Sequence, residues 1–349
     1  QRGLSNHQLI PPPQLVSPVA VSPARPLRGD DCHGHLGDEG MQPMEAVEEH
    51  EVPRTVIGTH HRMRARAGLV FTAPAMIFLT LFMVLPFTFA AILSFTNRKL
   101  LSPLPTRWVG FDNYRDVLTD SGFWGALQNN FVFSIIVVPL QTGLALLLAV
   151  LVNQKLKGSV VFRTIYFIPI TFSLAAASII WLVLLNPSGM VNTILEAVTF
   201  GGFGPDWLND PTYTMAAVIV VSIWASVGFQ MVILLASLQD VPNILYEAAA
   251  VDGATRWDQF RHVTLPGIRH QLYFVITITM ILSFRLFDQV WILPPRPGGP
   301  LDATNTIMVE LVDTGFGAGR IGKGSSIAVL FFLIVLFLTL FQRRFEPKD

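Results

Sequence analysis

Long runs of residues without charge recur along this chain, and no other feature limits its fold so strongly. Leu69–Phe95, Phe131–Val152, Thr164–Leu185 and Thr214–Leu238 contain no Asp, Glu, Lys or Arg. Leu272–Leu293 is as apolar but carries Arg285 and Asp288, and Gly324–Phe341 is a shorter final run. A helix needs about 20 apolar residues to cross a bilayer. The runs are too long for barrel strands and do not alternate apolar with polar. An all-α polytopic membrane protein with six transmembrane helices is therefore expected. Composition agrees: 51% of the residues are hydrophobic and only 14% charged, against about 25% charged in soluble domains. Pro74, Pro86, Pro139 and Pro169 fall inside these runs, which membrane helices tolerate when neighbours satisfy the freed carbonyls.

Residues 1–67 differ. They hold Pro11, Pro12 and Pro13 and scattered charge without a sustained apolar period. They read as a disordered polar arm, and no apolar stretch near residue 1 predicts a signal peptide. Asp31-Cys32-His33-Gly34-His35 offers metal-ligating types. They crowd into too few positions to surround one ion, so no metal is expected. Net charge is zero, which gives no footprint for nucleic acid.

Lys and Arg distribute unevenly over the connections. With the N-terminal flank inside, thirteen lie on the inner side and seven on the outer. Positive residues favour the cytoplasmic side, so both termini are expected there, with 346–349 as a short tail.

The inner connection 239–271 is far longer than a turn. Ile244–Val251 reads as a short helix after Pro242. Gly253 supplies the positive φ of a sharp reversal, and Ala254–His262 reads as a second helix that Leu265-Pro266 ends. The apolar Leu245, Ala248, Ala249, Trp257 and Phe260 exceed the needs of a solvated loop. Either the hairpin packs on its own helices, or it is a docking surface for a cytoplasmic partner.

Glu247-Ala248-Ala249, then Asp252-Gly253-Ala254, Phe260 and Leu265-Pro266 resemble the EAA loop of ABC-transporter permease subunits. Val109-Gly110-Phe111-Asp112-Asn113-Tyr114, Asn129-Asn130 and Phe284-Arg285-Leu286-Phe287-Asp288 are similar to the sugar branch of that family, of the maltose-transporter F type. Pro294-Pro295-Arg296-Pro297-Gly298-Gly299-Pro300 departs from the Thr-Gly-Gly-Gly-Pro usual there.

The resemblance spans roughly residues 64–345 and implies a type I ABC importer permease core over 68–345, with a cytoplasmic coupling helix, in the cytoplasmic membrane of a prokaryote. It implies a second permease subunit, two cytoplasmic ATPase subunits, an extracytoplasmic solute-binding protein and a sugar as cargo. Glycerol phosphate or a glycerophosphodiester is the alternative cargo within the branch. Glu247 is then expected to make charge-assisted hydrogen bonds near the start of the coupling helix. ATP and Mg belong to the partner ATPase. No cofactor and no catalytic residue are expected in this chain, which has no G-x-x-x-x-G-K-[ST] loop. Gly315-Phe316-Gly317-Ala318-Gly319-Arg320 reads as a flexible loop.

Candidates for the substrate path are polar residues inside the apolar runs. Ser222, Ser226 and Gln230 recur every fourth residue, with Phe229 beside them, and Thr279 and Ser283 share a face with Phe287. Such polar and aromatic faces suit a sugar, although Ser and Thr also favour plain helix packing. Arg285 and Asp288, three apart, can pair on a helix, as a gate or as a self-neutralised contact. A stand-alone secondary transporter would need paired halves, and a membrane enzyme would need clustered acids or histidines. Neither pattern is evident.

Overall fold

The computed structural model describes residues 70–101, 105–154 and 159–347. The chain divides into two units, Gln1–Ala65 and Arg66–Asp349, and the described residues belong to the second. The arm expected over 1–67, with its Asp31–His35 stretch, lies outside the described residues.

Thirteen helices and no named strand make up the described residues. Five are long and apolar enough to cross a membrane. They are α1 (Val70–Leu93), α3 (Ser121–Asn153), α7 (Pro211–Asp240), the broken span Arg269–Ile292, and α13 (Ile321–Arg343). A sixth is made by α4 (Ser159–Phe167), a 3-10 turn at Ile168–Thr171, and α5 (Leu174–Leu184). The charge-free run Thr164–Leu185 is thus not one straight helix but bends by 101°. Pro169 cannot continue the helical ladder, and Ser173 restarts it, accepting from the Ala176 N–H at 3.2 Å.

Two further prolines are absorbed by one device. Pro86 follows a π turn at Thr80–Val84, and Pro266 follows a π turn at Phe260–Thr264. In each, the residue before proline donates to the carbonyl five back, Leu85 to Thr80 and Leu265 to Phe260. A proline ring meets the carbonyl four residues before it, and the wider turn holds that carbonyl clear. Leu265-Pro266 therefore does not end the second hairpin helix, as its sequence led us to expect. The helix runs on to Gly267, and α10 (Arg269–Phe284) starts after a single kinked residue, Ile268.

The core is the contact of α3 with α7, on which α10 packs. Three apolar clusters occupy different depths. Phe133, Val137, Ala217, Val218, Val221, Leu286 and Val290 form the first. Ala145, Ala149, Met231, Leu234, Leu238, Ile268 and Val275 form the second. A third joins Val117 on α2 (Asp112–Leu118), Phe123 and Leu127 to Ile307 and Ile327. Gly228 lets α4 cross α7 closely, because a Cβ there would overlap the Tyr166 carbonyl.

Between α1 and α2, Phe95 stacks on Trp108 at 5.3 Å and meets Phe111 and Tyr114. At the start of α3, Asp120 caps the helix and takes Lys323 Nζ at 2.7 Å. That ammonium, followed by the Gly122 N–H, holds the Asp120 carboxyl below its ordinary range. The Gly-rich stretch 315–320, expected to be a flexible loop, is ordered. A π turn covers Asp313–Gly317, and the Gly319 carbonyl accepts from Leu100 N–H at 2.8 Å.

Candidate functional site

Each long helix changes character at the level between the first two apolar clusters. On α3, Val137 belongs to the first and Ala145 to the second, and Gln141 and Thr142 fall between them. On α7 the same gap holds Ser222, Ser226 and Gln230, and on α10 it holds Thr279 and Ser283. A polar layer thus crosses the bundle at mid-depth. Polar groups at that level face a partner or a cavity.

The cavity here measures about 230 Å³. Gln141, Ser222, Ser226, Thr279, Ser283 and Gln289 supply its polar wall, and Phe133, Val137, Leu174, Leu282 and Leu286 its apolar wall. Arg285 and Asp288 line it too. Gln289 Nε2 donates to Ser222 Oγ at 3.3 Å, and Ser222 Oγ donates to the Val218 carbonyl at 2.7 Å. Ser283 and Ser134 share a hydrogen bond. Gln141 and Ser226 make no hydrogen bond among the described residues, so their polar atoms are free for a ligand.

Arg285 and Asp288 form no ion pair with each other. The i, i+3 pairing assumed a continuous helix, and span five breaks between them. α10 ends at Phe284, Phe287 takes φ −141° and ψ −61°, and α11 (Asp288–Ile292) restarts. The break costs backbone hydrogen bonds, which distant residues replace. Asn130 Nδ2 donates to the Phe284 carbonyl at 3.3 Å, and its Oδ1 accepts from Ile307 N–H at 2.9 Å. Ile307 opens α12 (Ile307–Val312). Thr306 Oγ1 donates to the Leu286 carbonyl at 3.0 Å. Both charges are thereby held toward the cavity.

Of the seven residues expected on a substrate path, Ser222, Ser226, Thr279 and Ser283 line the cavity. Gln230 does not. It is buried, and its Nε2 donates to Thr279 Oγ1 at 2.6 Å. Phe229 is exposed and not part of the cavity wall, and Phe287 packs on Trp291 at 5.0 Å. Sequence reasoning missed Gln141 and Gln289. Gln141 carried a usable signal, since a lone amide inside the apolar run Phe131–Val152 is costly unless it is used.

Beyond one end of the spans stands the hairpin of α8 (Asn243–Val251) and α9 (256–267). Gly253 takes φ +80°. Its N–H reaches the Ala250 carbonyl at 3.1 Å, and the Ala254 N–H reaches the Ala249 carbonyl at 2.9 Å. This is the Schellman closure of a helix, in which the left-handed position suits glycine. The second helix starts two residues later than expected, at Arg256, because Thr255 and Asp258 form a capping box. The Thr255 hydroxyl and N–H lower the Asp258 pKa. Tyr246 OH and Thr264 Oγ1, 3.0 Å apart, tie the two arms.

Glu247 was expected to make charge-assisted hydrogen bonds near the helix start. It sits mid-helix, exposed, with no side-chain partner among the described residues. Around it Ile244, Leu245, Val251 and Trp257 are exposed, Val251 to 88%. Asp252 is exposed, Ala248 likewise, and Ala249, Ala254 and Leu265 are half-buried. These side chains form an apolar patch beside Glu247 and Asp252.

A bundle of membrane-crossing helices around a polar mid-depth cavity, with an apolar hairpin at one end, has the build of a membrane permease. The chain belongs to the family of binding-protein-dependent transport system inner membrane components, whose model matches residues 141–348. It is a multi-pass inner-membrane protein of a transport family.

A probable ABC transporter permease protein, YurN of Bacillus subtilis, is 33% identical over 79% of this chain and 94% of its own length. The lactose transport permease LacF of Rhizobium radiobacter is 33% identical over 71% of this chain and 83% of its own. The trehalose/maltose permease MalF of Thermococcus litoralis is 32% identical over 79% and 92%. A solved chain of a bacterial ABC transporter involved in the import of the acidic polysaccharide alginate shares the type I importer permease fold. Its TM-score is 0.71 and its identity 23%, over 82% of this chain and 98% of that one. The alginate transporter has also been solved in complex with a pentasaccharide-bound periplasmic protein (TM-score 0.72, 21% identity, over 82% and 97%).

Proposed function

We propose that this chain is the permease subunit that passes a disaccharide or oligosaccharide through an ATP-driven importer. The observation that carries the reading is the cavity in the mid-depth polar layer. It offers amide, hydroxyl, guanidinium and carboxylate groups to hydroxyls, set among apolar walls. Gln141 and Ser226, whose polar atoms are free, hydrogen-bond the sugar beside a wall of Ser222, Thr279, Ser283 and Gln289 already bonded within the protein, while Arg285 and Asp288 face it from the helix break. The volume of about 230 Å³ falls short of the roughly 300–1,000 Å³ of complete small-molecule sites. A second permease subunit supplies the other wall.

The relatives' cargoes support a saccharide: lactose, trehalose or maltose, and alginate. They favour it over glycerol phosphate or a glycerophosphodiester. An extracytoplasmic binding protein delivers the sugar, and two cytoplasmic ATPase subunits, which hold ATP and Mg, drive the cycle. Both termini and the hairpin face the cytoplasm, following the Lys and Arg bias. The exposed apolar face of α8, with Glu247, Ala248 and Ala249, seats on the ATPase. Asp252, Gly253 and Ala254 set the hairpin angle, and Leu265-Pro266 join it to span five. ATP-driven closure then biases a two-state bundle from its inner end.

The test reconstitutes the chain with its second permease, ATPase and binding protein in vesicles and measures uptake of labelled saccharides and glycerol 3-phosphate. Saccharide uptake that requires both ATP and the binding protein is expected. Uptake of glycerol 3-phosphate alone, or saccharide uptake by this chain alone on an ion gradient, overturns the reading.

A further inference from the structure

The connection between α5 and α7 contains a helix with three different sides, α6 (Met190–Val198). At 100° per residue, Val191, Asn192 and Leu195 share the first. Asn192 is buried there, donating to the carbonyls of Pro187 at 3.2 Å and Pro205 at 3.0 Å and accepting from the Trp207 indole at 2.8 Å. Val191 packs against the first apolar cluster. Thr193 and Glu196 make an exposed polar side. Met190, Ile194 and Val198 make the third side, and all three are exposed. Two residues on, Phe200 is 98% exposed at φ +53°. A bulky residue resists that conformation, and such strain persists where it serves a function.

We propose that α6 is an interfacial anchor, with Met190, Ile194, Val198 and Phe200 inserted at the boundary between lipid headgroups and acyl chains. Three observations argue for lipid as the occupant. First, the stripe starts at the end of a membrane-apolar helix. A Cβ on Gly189 would lie 2.8 Å from the Val183 carbonyl oxygen, and Ile179, Ile180 and Val183 on that helix are themselves exposed.

Second, its far end leads into α7 through Phe203, Trp207 and Tyr213, whose rings meet edge-on at 6.0 to 6.5 Å. Trp and Tyr gather at membrane–water boundaries. Third, residues 186–210 contain no Lys or Arg but hold Glu196, Asp206 and Asp210. Attachment therefore rests on apolar burial, without the basic face of helices that seek anionic lipid. The buried Asn192 fixes the roll of the helix, so polar and apolar sides stay at set levels.

The test uses the assembled transporter in vesicles of phosphatidylcholine and phosphatidylglycerol. The chain's single cysteine, Cys32, is replaced by serine, and one cysteine at a time is placed at Ile194, Val198, Thr193 or Glu196. Each carries a small fluorophore, quenched either by a lipid with a nitroxide near its carbonyl group or by aqueous iodide. At 194 and 198 the lipid is expected to quench about twofold more than iodide, with the order reversed at 193 and 196, as an interfacial helix requires. Stronger iodide quenching at 194 and 198 overturns the proposal. Protection of 194 and 198 from both quenchers also overturns it, in favour of a protein partner on that face.

Discussion

Asn130 holds the broken part of span five, and its replacement by alanine isolates that contribution. The side chain is fully buried and spends both ends on backbone, donating to the Phe284 carbonyl at 3.3 Å and accepting from the Ile307 N–H at 2.9 Å. Alanine orphans both groups away from water. The bond to Phe284 is long and is worth about 1 kcal/mol, while an unsatisfied buried N–H costs about 1–3 kcal/mol. The total is about 2–4 kcal/mol, before any cavity effect. With about 2–4 °C per kcal/mol, the scale for domains of about 150–250 residues, the purified complex should melt roughly 4–16 °C lower in detergent.

Asn130→Leu separates the possible causes, because it restores volume but not hydrogen bonds. Both variants should melt low, and transport should fall further than stability as Arg285 and Asp288 lose their placement. An Asn130→Leu complex that melts and transports like the parent would refute the reasoning.

Three other outcomes follow from the geometry. Gly253→Val meets no neighbour within 4 Å but sits at φ +80°, so backbone strain of about 1–2 kcal/mol should reset the hairpin and uncouple ATP hydrolysis from transport. Gly253→Asn, which tolerates that conformation, should restore much of the coupling, and normal transport by the valine variant at normal expression would count against this. Arg285→Ala breaks no ion pair, so the complex should assemble and melt normally while sugar transport drops about tenfold or more, the loss of one charge-assisted contact; failed assembly, scored by co-purification, would show a structural role instead. Asp120→Asn should lower the melting temperature above the unfolded carboxyl pKa of about 3.9. Because the native value is depressed, the gap should close as pH falls through it, and a gap that grows on acidification would exclude the Lys323 contact as its cause.

The resemblance to an EAA loop was legible because it lies within 20 residues of chain. Glu247 to Pro266 carry their own turn chemistry, and a glycine that must go left-handed announces itself. The capping box at Thr255 and Asp258 was equally local, though its two-residue shift of the helix start was not anticipated. Arg285 and Asp288 misled for the opposite reason. Their spacing implied a pair only on an unbroken helix, and the break is held open by Asn130 and Thr306, from other parts of the chain. Gln230 shared the face of Ser222 and Ser226 by periodicity, yet its Nε2 donates to Thr279 on another helix.

The sequence by itself determined the solvent, the number of apolar spans and the reversal at Gly253, because bilayer thickness and backbone sterics act on a single segment at a time. Tertiary structure alone decided the break in span five and the membership of the cavity wall. Those depend on which distant side chain meets an orphaned carbonyl or an unpaired amide, and in a lipid interior that meeting is settled only when the helices pack.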